Sequence, residues 1–502
     1  MTPITTRGSW TDAATVVVVG SGAGGGAAAW ALARAGHDVL VLEMGEHQAP
    51  ATFDQREENM LARLFQDAGS RASVDYSVGV LQGKGVGGST LHNLNLCKRL
   101  DPELLDVWVA EHGLAGLPAR MSEAYDVIER TLQVSEVEAS RMNANNRVVR
   151  DGARALGWRN GPLRHNRVGC VGSGFCELGC AYDAKMNSAR VLLPEASARG
   201  ARIRAAARVT RIEHAFGRVT GVSGVALDAA GAPVGSFRVR CDAVVLAASA
   251  TASSALALAS AVPDPGRRIG RGLTLHPGAT VGGLFNERIE GWKGIPQSWE
   301  CTEHLHPTDP ERRIWIVPVF GHPVGVAAML PATGALHTRL MGQFAHLAAV
   351  TPMLHDSTFG HVTADREGRP RIHYTPNAAD LRMMARGLAW SAELLLAGGA
   401  REVWLPTAPP LVVRTLVEAR ALHDRPARVL DPPLAAVHPM GGLAMGGAAS
   451  APVDPTGRAR GLRGLWVADG SLFPSSTGVP PQISIYALGL LTGQACAASL
   501  SA

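Results

Sequence analysis

The chain has 502 residues, 46% of them hydrophobic and 18% charged, an ordinary balance for a folded protein with room for two or three domains. Its formal net charge of +5 is small for that size, and no Lys/Arg cluster interleaved with aromatics occurs, which argues against a nucleic-acid partner. Apolar runs fall short of the ~20 residues of a spanning helix, and the start Met1-Thr2-Pro3-Ile4-Thr5-Thr6-Arg7 lacks a secretory signal, so the expectation is a cytoplasmic protein with no transmembrane segment.

The first predicted element is the run Thr15-Val16-Val17-Val18-Val19, which reads as a buried parallel strand. Gly20-Ser21-Gly22-Ala23-Gly24-Gly25 follows, and the alanine-rich residues 27–35 have the composition of a closely packed helix. A Gly-x-Gly-x-x-Gly pattern at a strand-to-helix turn is a dinucleotide site. Gly20 makes the tight turn, Gly22 lets the backbone approach a pyrophosphate, Gly25 allows close helix packing, and the helix N-terminus supplies amide donors. A second strand over residues 37–43 ends on Glu43, where a carboxylate accepts from ribose hydroxyls.

Further along, Gly83-Lys84-Gly85-Val86-Gly87-Gly88-Ser89-Thr90 exposes successive backbone amides that can surround a ring or a phosphate. Seven cysteines are an odd, sparse set. Three of them, Cys170, Cys176 and Cys180, approximate an iron–sulfur run, but Ser173 stands at a ligand position; reduced structural thiols or one local disulfide are the simpler accounts. Short strands at 201–209, 218–226, 236–240 and 243–248, then a helix over 251–261, read as the second half of the dinucleotide fold. Strand-rich and His-rich sequence from 280 to 373 gives way to a helix at 378–397, and Gly-rich turns return from 431, among them His438-Pro439-Met440-Gly441-Gly442.

The expected class is therefore α/β. A discontinuous Rossmann-like domain (12–100, 200–285 and 431–502) carries an inserted α+β substrate region (101–199 and 286–430), with an antiparallel sheet flanked by helices.

Taken in order, Gly20 to Gly25 with Glu43, Gly87-Gly88-Ser89-Thr90 with Asn93, Gly272-Leu273-Thr274-Leu275-His276-Pro277, the His438 turn, and Gly464-Leu465-Trp466-Val467-Ala468-Asp469-Gly470 make the chain resemble the glucose-methanol-choline (GMC) oxidoreductases. These are FAD enzymes that oxidise alcohols. Residues 170–200, Leu330-Pro331 and Met353-Leu354-His355-Asp356 look most like bacterial members grouped with long-chain alcohol and sterol oxidases.

The resemblance implies that Gly87, Gly88, Ser89, Val209, Asp469 and Gly470 contact FAD, with Asp469 on the ribityl chain and Asn93 beside the reactive edge of the flavin. It implies that His438 accepts the hydroxyl proton while hydride passes to flavin N5, and that oxygen or another acceptor reoxidises the flavin. His92 coincides with a position where some members carry a His joined covalently to the flavin 8-methyl carbon.

One departure stands out. Where members place Asn or His as a second partner of the substrate oxygen, this chain has Gly478-Val479-Pro480-Pro481, and Pro480 carries no polar side chain and no amide donor. Either His438 acts alone, or another residue takes over, or the reaction is non-standard. His355 is a candidate, although a surface histidine is its simpler reading. An accessory flavoprotein without catalysis is the remaining alternative, and the resemblance leaves the oligomeric state open.

Overall fold

The computed structural model describes residues 1–502 apart from Phe320, Pro331, Ala408, Pro409, Asp431 and the side chains of Arg428 and Val429. Pro331 of the Leu330-Pro331 pair and the boundary at Asp431 therefore lie outside the described residues.

Val16–Val19 is buried along its whole length because it sits inside a six-stranded parallel sheet, in the order Ile4–Thr5, Arg202–Ala205, Val39–Leu42, Val16–Val19, Ala243–Leu246, Leu465–Val467. The wholly buried strands are the unbroken apolar runs expected of a sheet covered on both faces. The other strands assigned to this fold go elsewhere. Ala207–Ala215, Arg218–Leu227 and Pro233–Arg240 form an antiparallel meander, joined along its edge by Trp10–Ala13. Their mixed burial marks them as half-solvated strands, which a doubly covered sheet does not accept.

The turn after Val19 leads into helix Ala23–Arg34, and the C-terminal helix Gln482–Ser501 lies across it. Small residues let the two backbones meet: a Cβ at Gly489 would stand 2.5 Å from the Gly24 carbonyl oxygen, and one at Gly493 2.8 Å from that of Ala28. By length and composition this last helix is apolar enough to cross a membrane, which corrects the expectation that every apolar run is too short. Here it is packed inside the protein, with Ile483, Tyr486 and Leu490 in the core.

Helices Pro102–His112 and Leu117–Thr131, grouped by sequence with the substrate region, bury Leu104, Trp108, Met121 and Ile128 in the same core as Val17 and Leu40. That segment belongs physically to the nucleotide unit. The second core is a seven-stranded antiparallel sheet in the order Leu411–Val413, Glu402–Leu405, Val281–Leu284, Leu347–Leu354, Ile314–Pro318, Trp299–Cys301, Asn160–Pro162. Helices Ala378–Ala397 and Ala144–Ala155 pack with it. A small sheet then pairs Arg271–Thr274 with Met440–Gly442, and this pairing brings the turn after Thr274 alongside His438.

Candidate active site

A cavity of about 1830 Å³ lies between the two cores. Its nucleotide end is built by glycines. Gly20 has φ +98°, and a Cβ there would stand 2.3 Å from the Ala247 carbonyl oxygen. A Cβ at Gly88 would stand 2.9 Å from the Gly22 Cα, so the two Gly-rich loops approach to backbone contact. Gly25 packs back on its own turn, where a Cβ would stand 2.0 Å from the Gly20 carbonyl oxygen. The close helix-to-strand approach falls instead to Gly24, whose Cβ would stand 1.5 Å from the Ala468 oxygen.

Glu43 lines the cavity at its strand end, yet both its carboxylate oxygens are taken by the protein. One accepts from Ser21 N (3.2 Å) and Oγ (2.6 Å), the other from Gly45 N (2.9 Å) and Gly85 N (3.2 Å). Burial pushes its pKa up against those four donors. Glu43 thus ties the strand to both glycine loops, and any ribose hydroxyl must share it with them. Asp469 is likewise buried with a raised pKa, and accepts from Ser253 Oγ (2.5 Å), Ser471 N (2.9 Å) and Ser471 Oγ (2.5 Å).

Gly20, Gly22, Gly88, Ser89, Val209, Asp469 and Gly470 all line the cavity, while Gly25 and Gly87 shape its turns from behind. His92 lines it too, its ring tilted by 39° against Phe65 with centroids 4.0 Å apart, and its pKa is pushed down to about 3 by burial and by Lys185. Its buried Nε2 has no hydrogen-bond partner among the described residues. Lys185 holds this loop by donating to the carbonyls of Leu91 (2.9 Å), Asn93 (2.5 Å) and Cys176 (2.7 Å). Asn93 also lines the cavity, and its carboxamide donates to Gln482 and accepts from Asn95 N (3.3 Å).

At the other end His438 faces the cavity beside Pro439, Pro480 and Pro481, and enclosure by these walls pushes its pKa down to about 3. A second imidazole accompanies it. His276 Nδ1 lies 3.3 Å from His438 Nδ1, with the two rings perpendicular.

Two family models described as GMC oxidoreductase match residues 61–278 and 356–489, and one for a Rossmann-like NAD(P)-binding domain matches 18–77. The chain belongs to the GMC oxidoreductase family. An uncharacterised GMC-type oxidoreductase of Mycobacterium tuberculosis is 36% identical over 95% of this chain and 75% of its own length. A long-chain-alcohol oxidase of Arabidopsis thaliana is 26% identical over 95% and 67%, and the paromamine 6'-oxidase of Streptomyces fradiae is 28% identical over 97% and 91%. Among solved structures, pyridoxine 4-oxidase from Mesorbium loti superposes with TM-score 0.71 at 18% identity, covering 96% of this chain and 99% of that one. A formate oxidase variant of Aspergillus oryzae RIB40 gives 0.73 at 15%, covering 99% of each.

The cofactor of this GMC oxidoreductase is FAD, and the residues fit it. The glycine cradle leaves room for a pyrophosphate, and the unpartnered Nε2 of His92 stands in the same cavity. Pro480 does line the cavity, so the polar partner that the resemblance implies at this place is absent from position 480. His355 does not fill the gap. It is only 3% exposed, its Nε2 donates to the Ser476 carbonyl (3.1 Å), and it packs behind Gly478 without lining the cavity; the surface reading is corrected along with the substitute one.

The motif around His276 assigns that residue no task in the sequence, because only the strand pairing reveals its neighbour. Cys170, Cys176 and Cys180 are free thiols around a small separate pocket with Arg167 and Lys185. No group of three metal ligands occurs among the described residues.

Proposed function

We propose that this GMC oxidoreductase oxidises the CH–OH group of a lipophilic alcohol. The observation that carries the reading is the apolar far wall of the cavity, continuous with His438 and built from Trp292, Val326, Met329, Leu340, Phe344 and Leu347. Much of that wall comes from helices Pro323–Met329 and Gly334–Gly342. Glu57 anchors the first of them by accepting from Val324 N (2.7 Å) and Gly325 N (2.8 Å). A long-chain-alcohol oxidase among the relatives supports the same substrate class.

FAD, when bound, supplies the hydride acceptor. The chain's own residues hold the dinucleotide on the glycine turns, offer apolar side chains to the substrate, and present His438 to the hydroxyl oxygen. His92, buried with an unpartnered Nε2, is proposed to hold the flavin covalently.

The test is anaerobic reduction of bound flavin by a series of straight-chain alcohols. Each buried methylene is worth about 0.8 kcal/mol, so kcat/KM should rise roughly fourfold per carbon until the cavity is filled. Ethanol or a sugar reducing the flavin as fast as a long-chain alcohol would overturn the proposal. Admitting oxygen afterwards separates oxidase from dehydrogenase.

A further inference from the structure

We infer that His276 sets the tautomer of His438, so that His438 meets the substrate oxygen with an N–H and not with a lone pair. The inference rests on the reading that the alcohol binds beside His438.

His276 Nε2 accepts from two backbone amides, Gly478 N at 2.8 Å and Thr477 N at 3.2 Å. A nitrogen facing two N–H groups carries no proton. His276 is fully buried and its pKa is pushed far down by burial and by His438, so the ring is neutral and its one proton sits on Nδ1. That proton points at His438 Nδ1, 3.3 Å away. His438 Nδ1 is then the acceptor, and the proton of a neutral His438 must sit on Nε2. A proton taken up at His438 Nδ1 would face the N–H of His276, so this ring is a poor proton acceptor in the native fold.

The arrangement is built. His276 holds a left-handed φ of +54°, a conformation that a residue with a Cβ keeps only where its surroundings enforce it. Asp356 enforces it by joining the two segments. One of its oxygens accepts from His276 N (3.2 Å) and Ser476 Oγ (2.7 Å), the other from Leu275 N (2.9 Å) and Tyr374 Oη (2.7 Å). The other titratable groups acting on His276 are His355 and Arg313.

His276 is thus a positioning residue for His438, held by the amides of the turn that contains the Pro480 gap. The alcohol still loses a hydride from carbon to the flavin and a proton from oxygen. The proton leaves to water, and His438 hydrogen-bonds the oxygen that becomes the carbonyl. This replaces the proton-accepting role that the family resemblance implies.

The test uses FAD-loaded protein with ¹⁵N-labelled histidine side chains, His438 being assigned by its loss in His438→Gln. Two-bond ¹H–¹⁵N correlations should show His438 protonated at Nε2 and bare at Nδ1, unchanged from pH 8 to pH 5. A proton on Nδ1 overturns the inference without any reference to activity. Kinetically, His276→Leu should slow flavin reduction about 10²-fold, the cost of a misplaced catalytic group. His276→Asn, whose Nδ2 stands where the imidazole Nδ1 does and can donate to His438, should recover part of that loss. Equal rates in His276→Leu and wild type, or an Asn variant no faster than the Leu variant, would overturn it. Unchanged reduction in His438→Ala, which carries no donor, would instead sink the functional reading and leave the tautomer result standing.

Discussion

In the proposed reaction His438 is the side chain beside the substrate oxygen, and its surroundings fix what it can do. Its folded pKa of about 3 lies below the ordinary histidine value of about 6.5. The ring therefore stays neutral from pH 8 down to pH 5, and flavin reduction should be flat across that window; a rate that falls with a midpoint near 6.5 would contradict the enclosure. The sign for stability follows: a depressed histidine pKa contributes stability that is fully present above pH 6.5 and lost as the pH falls through the folded value. His438→Ala should slow flavin reduction by about 10²–10³, the usual cost of removing a donor to the reacting oxygen, while FAD stays bound. His92 gives the second prediction at this scale. After acid precipitation the flavin should follow the polypeptide, and His92→Ala should release it; free flavin in the wild-type supernatant would refute the bond. The motif residues were legible because each sits on a local pattern of glycines or on a strand end. Their partners were not. His276, Ser253 and Lys185 act across 162, 216 and 92 residues of sequence, on His438, Asp469 and the Asn93 carbonyl.

Elements were legible where burial and local chemistry agree. The helix read over 378–397 has those bounds, with Asn377 capping it by accepting from Asp380 N. The four-valine strand and its glycine turn were equally plain. What the local pattern omits is which surface an element meets: helices Pro102–His112 and Leu117–Thr131 joined the nucleotide core, and the meander strands left the parallel sheet. Gly24 illustrates the same gap, since the spacing rule names Gly20, Gly22 and Gly25 while the closest helix-to-strand contact belongs to the glycine between them. Gly24→Val should therefore destabilise the fold by about 3 kcal/mol or more, because the obstructing atom is the Ala468 backbone oxygen and cannot turn aside. Urea unfolding would measure this, and wild-type stability in the variant would show that the helix can shift. Gly22→Ala, whose Cβ meets nothing nearer than 3.9 Å, should leave the empty fold intact and weaken FAD retention selectively.

At the scale of the whole molecule the cavity joins two cores that are otherwise built separately, a parallel sheet with its helices and a seven-stranded antiparallel sheet. Gly20 and Asp469 line it from the first, Thr351 and Trp404 from the second. A ligand filling such a junction is bound only while both walls are in place, so its binding free energy should stabilise both units together. With free FAD at about 1,000 times its Kd the stabilisation is about 4 kcal/mol. Unfolding entropy is about 2.1 cal/mol/K per residue, or about 1 kcal/mol/K for 502 residues. Joint unfolding then predicts a rise in Tm of about 4 °C on adding FAD to the apoprotein, within one calorimetric transition. If the nucleotide unit unfolded alone, its smaller entropy would give a larger shift, about twice as great for half the chain, and a second transition would stay where it was. Scanning calorimetry of the stripped protein, made from His92→Ala if the flavin is covalent, separates the two outcomes. Two transitions with only one responding to FAD would show that the cavity does not couple the cores.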